Sequence, residues 1–316
     1  MTDDLPSIVF FGTPKIAAYT LKTLLENRFR VKAVVTKPDK GYGRDRSISP
    51  PPVKVMAVKN KLTVFQPESL KEEYFMIEIE GLQPDFFVVV AFGRIIPKKL
   101  LIIPNHAALN IHFSLLPKYR GASPVATSIL TGEKETGVCI MEVAPKLDSG
   151  DIYASSVYEI LQDDTTCEVE EKLIHKGTEM LMEVLKNFEY YRKNKIKQNP
   201  ALATKTGLIN KCDGVINWNE DAALISRKIR AYNPWPGACT KFNGKSVKIL
   251  KAESIQKSCE GCSPGTVIEI DPKNGIIISC GSNALLIKQV QPENKRPISA
   301  ADFINGYRLK LGDRFD

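Results

Sequence analysis

The stretch Ser7-Ile-Val-Phe-Phe-Gly-Thr-Pro14 predicts how the chain begins to fold. Its apolar residues form a short strand, Gly12 and Thr13 form a turn, and Pro14 stands near the first position of a helix. A helical stripe of apolar residues follows, and Val31–Val35 forms a second strand. Strand, helix and strand in this order predict the start of a parallel α/β sheet.

Further runs indicate what kind of sheet this is. Phe86–Phe92 is apolar on both faces, as in a central parallel strand covered by helices on each side. Strands are also predicted at Gly137–Val143 and Ile152–Ile160, and a long helix from Thr165 to about Phe188. Gly12 stands alone at the first turn, where a dinucleotide fingerprint needs three spaced glycines. A nicotinamide-dependent dehydrogenase is therefore disfavoured.

The apolar run at residues 107–111 predicts a short buried strand, and two polar side chains stand at its end. Asn110 and His112 point to one face, because side chains in a strand alternate. Downstream, a glycine-containing turn offers two carboxylates, Asp148 and Asp151. An amide, a titratable ring and a carboxylate suit polarising a carbonyl carbon and moving a proton beside it. A lone histidine is often structural, so from the residues alone the catalytic and structural interpretations stay open.

Other reactive residues favour plain structural interpretations. His106 precedes a strand and His175 lies on the polar side of a helix, so a turn and a solvated position are predicted. Ser114 lacks the context of a nucleophile elbow. Cys259 and Cys262 form the one close cysteine pair, but a zinc site needs two more ligands. No metal site is predicted.

Composition indicates a two-domain enzyme of the cytoplasm. The 316 residues exceed the roughly 100–200 residues of one domain, and 43% of them are hydrophobic. No apolar run approaches the ~20 residues that span a bilayer, and the acidic N-terminus does not resemble a signal peptide. Seven scattered cysteines, an odd number, argue against a disulfide framework.

The net charge of +8 is concentrated near the C-terminus. Residues 205–316 hold 17 Lys and Arg against 11 Asp and Glu, whereas residues 1–204 hold 27 against 25. A basic region suggests a polyanionic partner such as nucleic acid. A merely basic, soluble surface is an equally open interpretation.

Short β-like runs with Asn-Gly turns at 243–244 and 274–275 predict a small barrel of the OB type in this basic region. The predicted runs are Ala238–Phe242, Val247–Ala252, Gly265–Ile270, Ile276–Ser279 and Leu285–Val290. A basic, proline-containing segment precedes the barrel. We therefore predict a sheet domain over residues 1–189, a linker over 190–206 and a barrel domain over 207–316.

The stretch Thr36–Ser47 contains a proline, two glycines and basic residues, which predicts an irregular surface loop. It is either a plain solvated connection or a loop that contacts phosphates through its Lys and Arg side chains, with Tyr42 available for stacking. The residues alone favour the plain connection slightly.

Together, four motifs resemble the methionyl-tRNA formyltransferase family over nearly the whole chain. They are Phe11-Gly-Thr-Pro14, Ser114-Leu-Leu-Pro117 followed by Arg120-Gly121 and Pro124, Leu147-Asp-Ser-Gly-Asp151, and Arg230-Ala-Tyr-Asn-Pro-Trp-Pro236. Asn-x-His with Ser-Leu-Leu-Pro is typical of any 10-formyltetrahydrofolate-dependent transferase or hydrolase. The Thr36–Arg44 loop and Asn233–Pro236 before a basic barrel narrow the resemblance to this family.

The resemblance implies a Rossmann-like formyltransferase domain that binds 10-formyltetrahydrofolate, and a barrel that binds initiator methionyl-tRNA. Asn110 and His112 would donate hydrogen bonds to the oxyanion, and Asp148 would orient His112 and help to remove a proton from the amine. Asp151 ranks lower, because the family motif places the acid directly after Leu147. The residues implied to line the folate site are Ser114, Leu115, Leu116 and Pro117, and those implied to approach the tRNA are Lys40, Arg44 and Arg46.

Some positions depart from the family pattern. Phe113 replaces an expected small residue, Tyr42 is unexpected in the loop, and Ala144-Pro-Lys146 precedes Leu147 in place of a Gly- or Glu-containing lead. Three alternatives stay open: a formyltransferase acting on a nucleotide-linked amino sugar, a formyl-folate hydrolase, and a tRNA-binding protein without catalysis.

Overall fold

The computed structural model describes residues 5–42, 47–257 and 261–316. The chain divides into two compact units. The first comprises Met1–Pro124, Glu135–Glu159 and Glu170–Thr206, and the second comprises Val125–Lys134, Ile160–Val169 and Gly207–Asp316. The division into domains predicted at residues 189 and 207 stays a prediction.

Strands and helices are interspersed along the chain up to residue 206, as expected for an α/β domain. The elements are β1 Ser7–Gly12, α1 Lys15–Glu26, β2 Arg30–Val35, β3 Lys40–Tyr42, β4 Ser47–Ser49, α2 Pro52–Lys59, β5 Thr63–Phe65, α3 Glu73–Gly81, β6 Phe86–Val90, α4 Lys98–Leu101, β7 Ala107–His112, β8 Arg120–Gly121, α5 Pro124–Thr131, β9 Glu135–Glu142, β10 Ile152–Glu159, α6 Thr166–Lys186, α7 Phe188–Lys193 and β11 Lys205–Thr206. Across the described residues, we find no helix both long and apolar enough to traverse a bilayer.

The main sheet of the first unit has the strand order β10-β9-β7-β6-β1-β2-β5. Strands β5, β2, β1, β6 and β7 are parallel, whereas β9 and β10 run antiparallel at one edge. The chain moves from β1 to one side and returns to the other side at β6, so the carboxyl ends of these strands flank a switch point where ligands bind. The predicted mostly parallel, Rossmann-like fold is confirmed.

Aromatic packing explains why the first turn carries a single glycine. Every residue of β1 and β6 is buried, and the Phe11 ring lies 4.9 Å from the Phe87 ring and 5.5 Å from the Phe92 ring. A Cβ on Gly12 would lie 2.7 Å from Cε1 of Phe10 and 2.8 Å from Cβ of Ala17. The glycine therefore lets the strand and helix pack closely, a role that needs no phosphate ligand.

The segment predicted as an irregular loop at Thr36–Ser47 contains regular structure. Strands β3 and β4 pair antiparallel, with Lys40 opposite Ser49 and Tyr42 opposite Ser47. The prediction was wrong because a short two-stranded ribbon is held by backbone hydrogen bonds, which require no apolar pattern. The hairpin tip, residues 43–46, lies outside the described residues.

The segment predicted as a linker, 190–206, is also structured. It contains most of α7, a 3₁₀ turn at Pro200–Leu202 and β11, which pairs in parallel with β8. Ile196 exchanges two backbone hydrogen bonds of 2.8 Å with Ile152, and the Gln198 side chain is buried. Backbone pairing and one buried amide hold this segment, so apolar periodicity does not reveal it.

The second unit contains all five strands predicted for the barrel. Its elements after residue 206 are α8 Ala222–Ala231, β12 Ala238–Phe242, β13 Lys245–Ile255, β14 Val267–Asp271, β15 Gly275–Ser279, β16 Ala284–Pro292, β17 Ile298–Ser299 and α9 Ala300–Tyr307. The antiparallel order is β12-β13-β16-β15-β14, with β17 beside β16. This arrangement confirms the OB-like prediction.

The C-terminal tail connects the two edge strands of that sheet. Phe315 forms a bridge with Phe242 of β12, and Arg314 forms one with Thr266 at the start of β14. The Phe315 ring lies 4.9 Å from Phe242 and 6.2 Å from Trp218 in the core. The tail thereby covers edges that would otherwise expose unpaired backbone groups.

Candidate active site

Strand β7 presents two of the predicted site residues near the carboxyl end of the parallel strands. Asn110 lies opposite Val89 of β6 and Met141 of β9, and His112 lies opposite Cys139. The alternation of strand side chains places both on one face. His112 is 5% exposed, whereas Asn110 is half-buried and can contact a ligand.

The His112 ring is anchored through one nitrogen. Its Nε2 lies 3.0 Å from the carbonyl oxygen of Tyr119. A carbonyl can only accept a hydrogen bond, so Nε2 carries the proton and neutral His112 has an unprotonated Nδ1. That atom lies 3.8 Å from Oδ2 of Asp148, too far for a hydrogen bond. A neutral ring in this position offers Nδ1 as a proton acceptor.

Burial favours the neutral form of the ring. Burial lowers the pKa of His112 below its ordinary value, and the nearby Asp148 carboxylate raises that pKa and offsets part of the effect. Arg120 lowers the pKa further, through its positive charge. The carboxylate therefore stabilises a proton on Nδ1 that burial alone would expel.

Asp148 occupies a constrained turn. Its φ of +44° is in the left-handed region, which is unfavourable for a residue with a Cβ. Its Oδ2 accepts a hydrogen bond of 2.7 Å from the backbone N–H of Gly121. Two residues on, a Cβ at Gly150 would lie 1.9 Å from the carbonyl oxygen of Glu142, so the turn requires glycine there.

The rival carboxylate, Asp151, faces other partners. Its Oδ2 lies 3.0 Å from Nζ of Lys195, which also binds Glu142 at 2.8 Å. The hydrogen bonds that Lys195 donates to Glu142 and Asp151 raise the pKa of its ammonium group. The structure thus brings Asp148 to His112 and engages Asp151 in a separate ion-pair cluster.

The implied folate segment, Ser114–Pro117, divides into inward and accessible residues. The Ser114 hydroxyl is buried and donates to the carbonyl of Lys118 at 2.7 Å. Leu116 packs with Cys139, Met141 and Ile152. Leu115 and Pro117 are partly accessible. A ligand can therefore contact the latter two, whereas Ser114 and Leu116 shape the loop, and Ser114 is engaged in a structural hydrogen bond.

The three residues implied to approach tRNA are only partly described. Arg44 and Arg46 lie outside the described residues, and of Lys40 only the backbone is described, paired with Ser49. Of the predicted cysteine pair, Cys259 lies outside the described residues and Cys262 is exposed. Within the described ranges, no cluster of three or more His, Cys, Asp or Glu side chains could hold a metal ion.

Comparison with known families accounts for both units. A family model described as formyl transferase matches residues 6–185, and one described as formyl transferase, C-terminal domain, matches residues 208–308. The chain belongs to the formyl transferase family.

Curated relatives match this formyl transferase along nearly its full length. A methionyl-tRNA formyltransferase of Sulfurihydrogenibium sp. is 41% identical over 310 residues, covering 98% of this chain and 99% of the relative. The methionyl-tRNA formyltransferase of Geobacter metallireducens is 39% identical over 308 residues and covers 98% of both chains.

Solved structures of more distant proteins share the fold. HypX from Aquifex aeolicus is 17% identical with a TM-score of 0.64, over 96% of this chain and 49% of HypX. An N-formyltransferase from Helicobacter canadensis is 22% identical with a TM-score of 0.61, over 91% of this chain and 99% of that protein. At these identities the likeness extends to the fold of the formyl transferase alone.

The structure adds residues to the site that sequence reasoning missed. Tyr119 supplies the acceptor for His112, and Gly121 supplies the donor to Asp148. Gly121 belongs to the Arg120-Gly121 motif, which was noted in the sequence without a role, and Tyr119 directly precedes that motif. Gln198, which contacts the Asp148 turn, carries no sequence signal because it lies in a segment without periodicity.

Proposed function

We propose that this chain transfers the formyl group of 10-formyltetrahydrofolate to the α-amino group of methionine on initiator tRNA. The observation that carries the chemistry is the position of Asn110, His112 and Asp148 at the carboxyl end of β7 and the adjoining turn. Full-length relatives named methionyl-tRNA formyltransferase support the choice of donor and acceptor.

Asn110 stabilises the charge that develops on the formyl oxygen. As the amine nitrogen bonds to the formyl carbon, an electron pair moves from the carbonyl bond onto oxygen. The half-buried Asn110 amide donates a hydrogen bond to that oxygen. The bond from Nε2 of His112 to Tyr119 supports assigning the oxyanion to Asn110, because that ring N–H already has an acceptor.

His112 and Asp148 manage the proton. Nδ1 takes the proton that the attacking amine releases, directly or through a water molecule, and the Asp148 carboxylate stabilises the imidazolium. The electron pair on the oxyanion then re-forms the carbonyl bond, the bond from the formyl carbon to N10 of the folate breaks, and its electron pair leaves with N10, which takes the proton from Nδ1 of His112. The products are formylmethionyl-tRNA and tetrahydrofolate.

The proposed division of labour assigns folate chemistry to residues 1–189 and tRNA binding to residues 207–316, with 190–206 between them. Residues 205–316 carry an excess of six positive charges, as phosphate binding requires. Lys40, Arg44 and Arg46 are proposed to contact the acceptor end of the tRNA. The reaction's substrates belong to translation, so a cytoplasmic location is part of the proposal.

Labelled formyl transfer tests the proposal. The protein is incubated with 10-formyltetrahydrofolate carrying a labelled formyl group, together with charged initiator tRNA, uncharged tRNA or nucleotide-linked amino sugars. We expect label on the charged initiator tRNA alone. Label on a sugar would assign the chain to the amino-sugar transferases, and release of free labelled formate without an acceptor would make it a hydrolase.

Two variants separate chemistry from binding in the same assay. His112→Ala should lose turnover while retaining folate affinity, whereas His175→Ala, which changes an exposed ring beside Tyr19, is the matched control.

If the wild-type protein binds tRNA and transfers no label to any acceptor, a non-catalytic tRNA-binding protein is the better assignment.

A further inference from the structure

The side chain of Gln198 makes four hydrogen bonds inside the first unit. Its Oε1 accepts from Nε of Arg120 at 3.0 Å and from Nη2 of the same guanidinium at 2.6 Å. Its Nε2 donates to the carbonyl oxygens of Asp148 and Gly150 at 3.0 and 2.7 Å. Gln198 is 7% exposed and Arg120 is 5% exposed. Both amide hydrogens and the amide oxygen are therefore engaged in a buried environment.

The partners determine which way the amide points. A guanidinium can only donate and a carbonyl can only accept, so exchanging the oxygen and nitrogen of Gln198 would break all four bonds. A glutamate could bind Arg120 but would face the two carbonyl oxygens without a donor. A methionine of similar length would bind neither side. The position thus requires the chemistry of glutamine.

Gln198 connects the turn that carries Asp148 to the strand that holds its carboxylate. On one side it binds the backbone carbonyl of Asp148, whose φ of +44° needs support from its surroundings. On the other side it binds Arg120, next to Gly121, whose N–H donates to the Asp148 carboxylate. Both ends of the catalytic aspartate therefore depend on one side chain.

The same segment supports the acceptor of His112. The Thr204 hydroxyl accepts from the backbone N–H of Tyr119 at 2.8 Å, and the Thr204 carbonyl accepts from the N–H of Arg120 at 2.9 Å. The Tyr119 carbonyl, between these groups, accepts from Nε2 of His112. Residues 198–206 thus contact the backbone that positions each member of the His112–Asp148 pair.

This segment lies between the two family matches, which end at residue 185 and resume at residue 208. We propose that residues 198–206 belong to the catalytic apparatus, with Gln198 as a positioning residue that acts through Asp148 and Thr204 as a second support through Tyr119. The inference rests on the proposed role of Asp148 in formyl transfer.

Steady-state kinetics of Gln198→Met and Thr204→Val test the proposal. We expect kcat to fall roughly 100-fold for Gln198→Met and about 10-fold for Thr204→Val, because a displacement of about 1 Å at a catalytic group has effects of this size. KM values for formyl donor and aminoacyl-tRNA should stay within about threefold, as expected when only transition-state interactions are lost. Gln83→Met, on an exposed glutamine of the same unit, should leave kcat unchanged.

A double-mutant cycle with Asp148→Asn distinguishes positioning from general damage. If Gln198 acts through the Asp148 carboxylate, Gln198→Met should reduce kcat little further once that carboxylate is absent. An undiminished additional loss in the Asp148→Asn background would overturn the proposal. So would a rise in KM with kcat unchanged.

Thr204→Val provides a second test of the proposal if Gln198→Met does not fold. Thr204 is exposed and its substitution removes one hydroxyl, so the variant should fold. Wild-type kcat in Thr204→Val would then overturn the inference. The proposed function fails on a different result, namely if the wild-type protein forms no formylmethionyl-tRNA. The same kcat ratios between variants and wild type can then be measured with any other formyl acceptor that the protein uses.

Discussion

Nε2 of His112 donates a hydrogen bond to the carbonyl oxygen of Tyr119 across 3.0 Å. This contact sets the tautomer of the ring and turns Nδ1 toward Asp148, 3.8 Å away. It also changes the role that family resemblance implies for His112. With its N–H engaged by the backbone, the neutral ring is suited to accept a proton, and Asn110 is the proposed donor to the oxyanion.

Titration of the imidazole groups by NMR should single out His112. The chain has three histidines, and His106 and His175 are exposed. Burial lowers the pKa of His112, so its ring should protonate at a pH below the usual value of about 6.5. Its ¹⁵N shifts at neutral pH should show a protonated Nε2 and a bare Nδ1. A protonated Nδ1 in the neutral ring would contradict the assigned tautomer.

The same pKa shift predicts how His112 affects stability. Because the pKa is lower in the folded protein, the unfolded chain binds more protons between the folded and unfolded values. His112 therefore contributes fully to the free energy of unfolding at pH values above its pKa in the unfolded chain. This contribution is lost as pH falls through its pKa in the folded protein. Denaturant unfolding at several pH values should show that the free energy of unfolding falls less steeply toward acid pH in His112→Asn than in the wild-type protein.

Asp148→Asn should impair turnover and alter the histidine. Loss of a group that assists proton transfer should lower kcat by about 10²–10⁴-fold, with folding retained. The carboxylate raises the pKa of His112, so its removal should lower that pKa further. Asp151→Asn, which affects the Lys195 cluster, is the matched control and should leave the histidine titration in place. An upward shift in Asp148→Asn would refute this electrostatic account.

Asn110→Ala should reduce kcat by about 10²–10³-fold through the loss of one oxyanion donor. Its effect should appear in kcat more than in KM, because the charge develops only in the transition state. Single-turnover measurements with bound formyl donor would isolate the chemical step. If Asn110→Ala showed the single-turnover rate of the wild-type protein, Asn110 would have no part in the chemical step.

Gly121→Ala should destabilise the first unit. Gly121 has a φ of +124°, and a Cβ there would lie 2.3 Å from the carbonyl oxygen of Thr206. Backbone strain alone costs about 1–3 kcal/mol, and the clash would also separate β8 from β11. Gly207→Ala, with open space around the position, is the control for denaturant unfolding. Equal free energies of unfolding in the two variants would show that β8 can shift without destabilising the first unit.

Arg44→Ala should weaken tRNA use with little effect on the chemical step. This prediction rests on the sequence of the Thr36–Arg44 stretch. Removal of one phosphate contact should raise KM for tRNA and reduce the slope of log kcat/KM against log salt by about one. Unchanged tRNA kinetics at every salt concentration would exclude this loop from the interface.

Local sequence patterns were informative wherever burial follows a period. The apolar runs of β1 and β6 predicted the parallel sheet, and β12 was predicted with its observed bounds, Ala238–Phe242. Asn-Gly turns marked the hairpins of the barrel. Patterns failed for β3, β4 and β11, which are short and held by backbone hydrogen bonds that any side chain permits.

The sequence by itself determined the two fold classes, the location of Asn110 and His112 at a strand end, and the basic character of the C-terminal region. Only the tertiary structure placed Asp148 beside His112 and Asp151 beside Lys195, assigned the proton on His112 to Nε2, and brought Gln198 to the Asp148 turn. The physical reason is that buried apolar side chains recur at a regular spacing within each strand or helix, and this spacing is visible in a short stretch of sequence. Hydrogen bonds between residues 50 or 78 positions apart depend on directions and distances that arise only when the chain has folded.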